Sequence, residues 1–202
     1  MTRTGKARLI IGTFASLAAA WSAVTAAIPV IGPLLADTAG LTLLTVAMAY
    51  SLAALYDKNM DSASLGAFGA VAVGFIAGQL ALKVGASAIP IFGSYFNASV
   101  TAILHGAIGW ALCEIFESGK TPGDYSKEEL KEIFNRNKDK AKQEKEKYDR
   151  AMESLPPDAR QKVKDLQKQI KDRNLSDSER NELMGQITSI FEHHGVENVF
   201  ND

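Results

Sequence analysis

Few side chains in the first 120 residues could take part in chemistry, and most of them stand alone in apolar sequence. Asn97 and His105 are two helical turns apart, so both are expected on one side of a helix. Two interpretations stay open for this pair: hydrogen bonds between helices, or the polar lining of a path through an oligomer. Asp37 is interpreted as a charge in the first turn of a helix, with a functional acid inside the membrane as the alternative. Lys83 is interpreted as a side chain that snorkels to a polar boundary, with substrate binding as the alternative.

Motifs for nucleotide, thiol or metal chemistry are incomplete. Residues 119–121 (Gly-Lys-Thr) resemble the end of a phosphate-binding loop, but that loop needs a glycine where this chain has Glu114. Cys113 is the single cysteine, which excludes an intramolecular disulfide and a cysteine-based metal site. The His-His pair at 193–194 is interpreted as a surface pair that complements a helix dipole. We therefore expect no catalytic residue, metal or cofactor, and a protein that is not an enzyme.

The charged residues are distributed unevenly along the chain. Residues 1–120 hold 6 Lys/Arg and 5 Asp/Glu, whereas residues 121–202 hold 16 and 18. Neither half has a basic excess, so the electrostatic pattern of a nucleic-acid-binding protein is missing. The change in composition predicts two domains, an apolar one at 1–120 and a charged helical tail at 121–202.

An internal repeat organises the apolar half. Residues 27–32 (Ala-Ile-Pro-Val-Ile-Gly) recur at 88–93 as Ala-Ile-Pro-Ile-Phe-Gly, at a constant offset of 61. Because proline and glycine break helices, each copy predicts the turn of a helical hairpin. The turn residues are Pro29, Gly32, Pro90 and Gly93. The predicted fold class is all-α, with apolar helices at 7–27, 33–56, 65–87 and 94–117.

The four predicted helices are apolar on every side, as in a membrane span or a fully buried core helix. Each has about 20 residues, which matches the roughly 30 Å thickness of the hydrocarbon core of a bilayer. A soluble four-helix bundle would show charged outward faces, so we predict a membrane-type unit. Small residues at every fourth position favour close packing between such helices. The predicted packing residues are Gly66, Ala70, Gly74, Gly78, Gly106 and Gly109.

The distribution of basic residues predicts an orientation. Arg3, Lys6 and Arg8 precede the first helix, which predicts a bacterial inner-membrane protein with a cytoplasmic N-terminus and a cytoplasmic tail. A cleaved signal peptide is disfavoured, because the apolar run continues into the repeat. The predicted turns carry no charge, so hairpins that enter the bilayer without crossing it stay an alternative to full spans. A soluble oligomer that packs its apolar faces together is the other alternative.

The tail carries two helix-start signals. Residues 126–129 (Ser-Lys-Glu-Glu) and 176–179 (Ser-Asp-Ser-Glu) are capping boxes. They predict helices from 127 to 153 and after 176, with a third helix at 158–173 and Gly195 as a cap. The helices have sparse apolar stripes among charged residues. Such stripes favour coiled-coil pairing or insertion into the groove of a partner.

Two patterns in the apolar half resemble a known family. Residues 48–56 read Met-x-x-x-Leu-x-x-x-Tyr, and residues 89–119 carry Ile-Pro-x-x-Gly, Asn-Ala, Ala-Ile-Gly-x-Ala and Phe-Glu-x-Gly in order. Over about residues 20–120 the chain resembles the family called domain of unknown function 697 (DUF697), found beside or fused to small GTPase-type domains in bacteria. The resemblance implies helical hairpins, frequent membrane association and a GTPase partner, and it implies no catalytic residues.

The chain departs from the family in several places. Asp57 stands where members often carry glycine, and His105 lies in a region where threonine is common. No GTPase domain is recognised in this sequence, and the tail from Thr121 onward resembles no known family.

Three functions remain to be weighed. The first is a non-enzymatic membrane protein that anchors in lipid, forms a homo-oligomer and recruits a cytoplasmic protein, with a GTPase as the partner that the resemblance implies. The second is a pore or channel lined by Asn97 and His105. The third is a soluble helical oligomer.

Overall fold

The computed structural model describes the backbone of residues 1–25, 33–84, 90–172, 174–196 and 198–201. Over these ranges the chain forms nine α-helices and one 3-10 turn, Pro122–Asp124, and contains no strand. The prediction of an all-α fold is therefore confirmed. Pro29 and Gly32, which are predicted to form the first hairpin turn, lie outside the described residues.

Four apolar helices form the first half of the fold. The second predicted turn differs from the structure, because Pro90 is the first residue of the fourth helix and Gly93 lies in its first turn. Proline suits a first helical position, since its fixed φ fits the helix and its missing N–H would have no helical partner there. The helices are α1 (Arg3–Thr25), α2 (Pro33–Leu55), α3 (Ser62–Val84) and α4 (Pro90–Glu117).

The four helices alternate in direction. Arg3 of α1 pairs with Asp57, which follows α2, at 3.8 Å between Nη2 and Oδ2, so α1 and α2 run antiparallel. The Tyr56 hydroxyl donates to Glu117 Oε1 at 2.8 Å, so α2 and α4 end side by side. α3 starts after a short connection from α2. The ends of the helices that lead from α1 to α2 and from α3 to α4 therefore lie at one end of the bundle, opposite Tyr56 and Glu117.

α2 and α4 end in the same way, with a residue at positive φ. Asp57 (φ 53) follows α2, and Gly119 (φ 84) follows α4. In both places the next N–H bonds to the carbonyl five residues earlier, at 2.8 Å after α2 and 3.2 Å after α4, which is the Schellman arrangement. Lys58 Nζ also donates to the Gly119 carbonyl at 2.8 Å and joins the two ends. The helices that follow the two copies of the repeat thus end in the same arrangement.

The charged half forms five further helices among the described residues. Both predicted capping boxes are present, at 126–129 and 176–179. Gly195 (φ 65) follows the last long helix, as predicted. The helices are α5 (Lys127–Arg136), α6 (Lys138–Ser154), α7 (Pro157–Ile170), α8 (Asp177–His193) and α9 (Asn198–Asn201).

The prediction of one continuous helix from 127 to 153 was wrong, because Asn137 divides it. The backbone of Asn137 (φ −87, ψ 0) leaves helical geometry. Its side-chain amide donates to Glu114 Oε2 at 2.9 Å and to the Ile133 carbonyl at 3.0 Å. Asparagine side chains compete with the helix for backbone groups in this way, and the bond to α4 fixes the break in place.

Arg180 holds the connection between α7 and α8. Its side chain is 3% exposed. It donates to the carbonyls of Ile170 at 3.2 Å, of Leu175 at 2.6 Å and of Asp172 at 2.6 Å. A guanidinium presents several donors in one plane, so a single side chain can bond to three carbonyls around this connection.

Buried side chains from both halves form one apolar cluster. Phe134 of α5 packs edge-on against Phe68 and Phe75 of α3, with ring centroids 5.9 Å and 5.3 Å apart. α6 lies along α1 and α4, and α8 and α9 also pack against α1. The change in composition at residue 121 is therefore not a gap in the core, and the charged helices provide outward faces that α1 and α4 lack.

One segment in the described part of the chain, Ala98–Glu117 of α4, is long and apolar enough to cross a membrane. Gly40–Leu55 and Ala63–Gln79 are apolar but shorter. Most of the α4 segment is buried inside the protein, and a buried core helix of a soluble protein has the same length and composition. The prediction of an all-α chain is thus confirmed, whereas four membrane-type helices are not, since one segment of spanning length is found in the described residues.

Candidate functional site

His105 lies in the core of the bundle. Its side chain is 0% exposed and sits beside the backbone of Leu44 on α2. Neither ring nitrogen has a hydrogen-bond partner of ordinary geometry, and neither does the hydroxyl of Thr101, one turn earlier and equally buried. The side chain of Asn97, which is predicted to share this face, lies outside the described residues. In a single copy of the chain His105 is therefore a packed core residue and faces no path.

Gly106 and Gly109 lie where helices approach closely. A Cβ added to Gly109 would come within 2.7 Å of Ile11 Cγ1 on α1 and 3.1 Å of Met48 Sδ on α2. A Cβ added to Gly106 would come within 3.2 Å of Ala141 Cβ on α6. Both positions were predicted as packing residues, and in the structure α1, α2 and α6 are the neighbours that need the space.

Three further close approaches were missed in the sequence. A Cβ added to Gly12 would overlap the Tyr148 ring of α6, and one added to Gly40 would overlap the Trp21 indole of α1. At Gly69 an added Cβ would come within 2.9 Å of Val46 Cγ2. None of these three has another glycine four residues away, so the glycine spacing that singled out α3 gave no signal for them.

The small residues of α3 have the opposite surroundings. Nothing lies within 4 Å of a Cβ added to Gly66, Gly74 or Gly78. We call this side of the helix the α3 face. Its exposed residues are Ala63, Gly66, Ala67, Ala70, Gly74 and Gly78. The four predicted packing residues of the third helix thus lie together on a surface that no part of the described chain covers.

α6 meets α1 through polar contacts, and we call the contact of α6 with α1 and α4 the α6 seam. Arg8 and Glu144, each 12% exposed, form an ion pair at 2.6 Å between Nε and Oε2. Arg8 also donates to the Phe200 carbonyl of α9. Tyr148 OH lies 3.3 Å from Thr13 Oγ1. These contacts attach the charged half to the first helix.

The buried tyrosine of the seam holds its proton strongly. Gln167 Nε2 donates to Tyr148 OH at 2.8 Å. Burial raises the pKa of Tyr148 to about 12, against the opposing effect of its hydrogen bonds with Thr13 and Gln167. The phenol is therefore neutral at physiological pH and links α1, α6 and α7.

The remaining reactive groups do not assemble into a catalytic centre in the part of the chain that the structure describes. No group of three or more His, Cys, Asp or Glu side chains there could hold a metal ion. His193 and His194 are exposed, with ring centroids 5.1 Å apart, and border an open groove of about 570 Å³ that Asp158 and Lys162 also line. Cys113 is buried.

No family model, curated protein or solved structure matched the chain when it was compared with each. The resemblance to DUF697 therefore rests on the residues of this sequence. One of its departures has a structural counterpart: Asp57, where members often carry glycine, adopts φ 53, a conformation that glycine adopts more easily.

Proposed function

We propose that the protein is a non-enzymatic, membrane-associated protein that anchors in lipid, self-associates through the α3 face and recruits a cytoplasmic partner. The observation that carries the proposal is the α3 face itself, an exposed helix surface that contains only alanine and glycine. A helix face in water ordinarily carries charged or polar side chains.

The glycines of this face destabilise the helix, and no contact in the described part of one copy of the chain offsets that loss. Each glycine destabilises a helix by up to about 1 kcal/mol relative to alanine. Gly12 and Gly109 allow a neighbouring helix to approach, but Gly66, Gly74 and Gly78 have no such neighbour. Small residues at four-residue spacing are typical of helices that pack closely against other helices in a bilayer. A second copy of α3 is the partner that this spacing fits.

The sparsely charged end of the bundle supports association with lipid. Residues 22–39 contain one ionisable side chain, Asp37, and residues 80–97 contain Lys83 and Tyr95. The described helix ends within these stretches lie at the end of the bundle opposite Tyr56 and Glu117. The α4 segment of spanning length runs from that end. We propose that this end enters the bacterial inner membrane while the N-terminus and the charged helices stay in the cytoplasm.

The charged helices would recruit a partner through their outward faces. Their apolar stripes, which in sequence favour insertion into a partner's groove, are buried against the rest of the chain: Leu130, Ile133 and Phe134 of α5 are 4%, 4% and 0% exposed. A partner would therefore meet mainly lysine and glutamate side chains, and binding would weaken with salt. A GTPase is the partner that the resemblance implies.

Substitution of the α3 face tests the proposal. Gly74→Leu and Gly78→Leu place a larger side chain where a second copy would pack, so we expect both to abolish self-association. Cross-linking and sedimentation in detergent measure it. Gly185→Leu is the matched control, because Gly185 is an exposed glycine of the charged helix α8 with nothing within 4 Å of an added Cβ. Equal behaviour of all three variants would refute self-association through α3, and release of the full chain by a carbonate wash would refute anchoring.

A further inference from the structure

The α4 segment that is apolar enough to cross a membrane is covered on one side by α6. Ala102, Gly106 and Trp110 form one stripe of α4, and all three line the α6 seam together with Ala141. While α6 stays in this position, that stripe of α4 cannot contact lipid. The membrane association proposed above and the packing of α6 therefore exclude one another along this side of the helix.

α6 is held by few apolar contacts. Only Ala141, Tyr148 and Ala151 of its 17 residues are buried. Met152 is partly buried against the same core. The polar contacts of α6 include the Arg8–Glu144 ion pair, and Lys140 Nζ lies 4.0 Å from the Trp110 ring centroid. Taking a charged pair out of water costs much of what the pair gains by its attraction, so such contacts hold a helix weakly.

Packing along the seam is also imperfect. A cavity of about 20 Å³, enough for one water molecule, lies between α1, α4 and α6. The Trp110 indole N–H is buried there without a hydrogen-bond partner. By contrast, Ile11 and Met48 fill the space beside Gly109 on the other side of α4. The contact between α4 and α6 is thus easier to separate than the contact of α4 with α1 and α2 at Gly109.

The helix before α6 is fixed, and a break separates the two. α5 buries Leu130, Ile133 and Phe134 against the apolar helices. The backbone leaves helical geometry at Asn137, between α5 and α6. A break of this kind lets α6 swing away while α5 keeps its place, since a few residues at the end of an element can absorb the change in φ and ψ.

We propose that α6 is a displaceable cover, which pivots at Asn137 and exposes the Ala102–Trp110 stripe of α4 when the protein enters a bilayer. The proposal rests on the membrane association proposed above. On release, Arg8 and Glu144 exchange their ion pair for hydration, and the Trp110 indole reaches lipid headgroups or water.

A reversible lock tests the cover. A Cβ at position 106 would lie 3.2 Å from Ala141 Cβ, close to the roughly 3.5–4.5 Å between the Cβ atoms of a disulfide. Gly106→Cys with Ala141→Cys, in a Cys113→Ala background, gives a full-length chain with these two cysteines alone. Mass spectrometry checks that the bond forms, and circular dichroism checks that the chain is folded. Binding is measured by flotation with vesicles of phosphatidylethanolamine and phosphatidylglycerol.

The lock separates the two proposals. We expect the reduced protein to float with the vesicles and the oxidised protein to float at least an order of magnitude less. Equal flotation of both forms would overturn the cover and leave membrane association standing. If neither form nor the unsubstituted chain floats, the proposal of membrane association is refuted, and the proposal of a displaceable cover is refuted with it.

If the double cysteine variant does not fold, a variant that weakens the contact between α6 and α1 tests the proposal instead. Glu144→Gln removes the partner of Arg8, so we expect several-fold greater flotation than with the unsubstituted chain. Glu146→Gln is the control, because Glu146 is exposed on the same helix. Flotation of Glu144→Gln at the level of the control would overturn the cover.

Discussion

α1 and α3 are the first helices of two repeated hairpins, but their outer sides have different surroundings in the described chain. On α1, Arg8, Gly12 and Thr13 meet α6. On α3, Gly66, Gly74 and Gly78 meet nothing. The charged half therefore covers the outer side of α1, whereas on α3 it packs against Phe68 and Phe75 and leaves the α3 face uncovered. The first helices of two repeated segments can thus differ, one being covered by another helix of the chain and the other not.

Adding one methyl group to each helix tests this difference between α1 and α3 most strongly. Gly12→Ala should destabilise the protein by about 3 kcal/mol, because the new Cβ overlaps the buried Tyr148 ring. Gly74→Ala should stabilise it by up to about 1 kcal/mol, because the site is open and alanine favours the helix. Urea unfolding measures both, and the same sign for the two would contradict the difference between α1 and α3.

The pH dependence of stability tests how α6 is held on α1. Burial raises the pKa of Tyr148 to about 12, above the value of about 10 in the unfolded chain. Its contribution to stability is therefore complete below pH 10 and is lost as the pH rises toward 12. Over this range the unsubstituted protein should lose roughly 2–3 kcal/mol more stability than Tyr148→Phe.

Thermal unfolding across the same pH range checks this prediction. Burial also raises the pKa of Tyr56, but that residue is present in both proteins, so the difference isolates Tyr148. Identical pH profiles would mean that the phenol does not hold the seam.

The smallest expected change in stability comes from substitutions at the ends of α2 and α4. Asp57 and Gly119 both adopt positive φ, which strains a residue with a Cβ. Asp57→Gly should stabilise the protein by about 1 kcal/mol, less whatever its exposed ion pair with Arg3 contributes, and Gly119→Ala should destabilise it by a similar amount. Melting temperatures measure both changes, and a loss of stability in Asp57→Gly would show that the ion pair outweighs the strain.

Local signals in the sequence predicted most of the elements. Residues 126–129 and 176–179 satisfy backbone groups within a single turn, so their capping boxes could be recognised without tertiary information. Helix α2 ends within one residue of its predicted end, where the apolar run gives way to the polar connection that starts at Asp57. The break at Asn137 could not be predicted, because it depends on a hydrogen bond to Glu114 on another helix.

The faces of the apolar helices could not be assigned from the sequence. Helices that are apolar on every side have no periodicity that tells a covered side from a bare one. Spacing singled out Gly74 and Gly78, which are open, and missed Gly12 and Gly40, which are crowded. The difference comes from Tyr148 and Trp21, and contacts between distant parts of a chain leave no local pattern.

The ion pair between Arg8 and Glu144 joins residues 136 positions apart. Chains are synthesised from the N-terminus at about 5–20 residues per second, so roughly ten seconds separate the translation of these two residues. During that interval both hairpins exist without the helix that shields α1 and α4 from water. The order of synthesis therefore gives an insertion machinery or a bilayer the first opportunity to bind the apolar helices, before the rest of the polypeptide can compete for them.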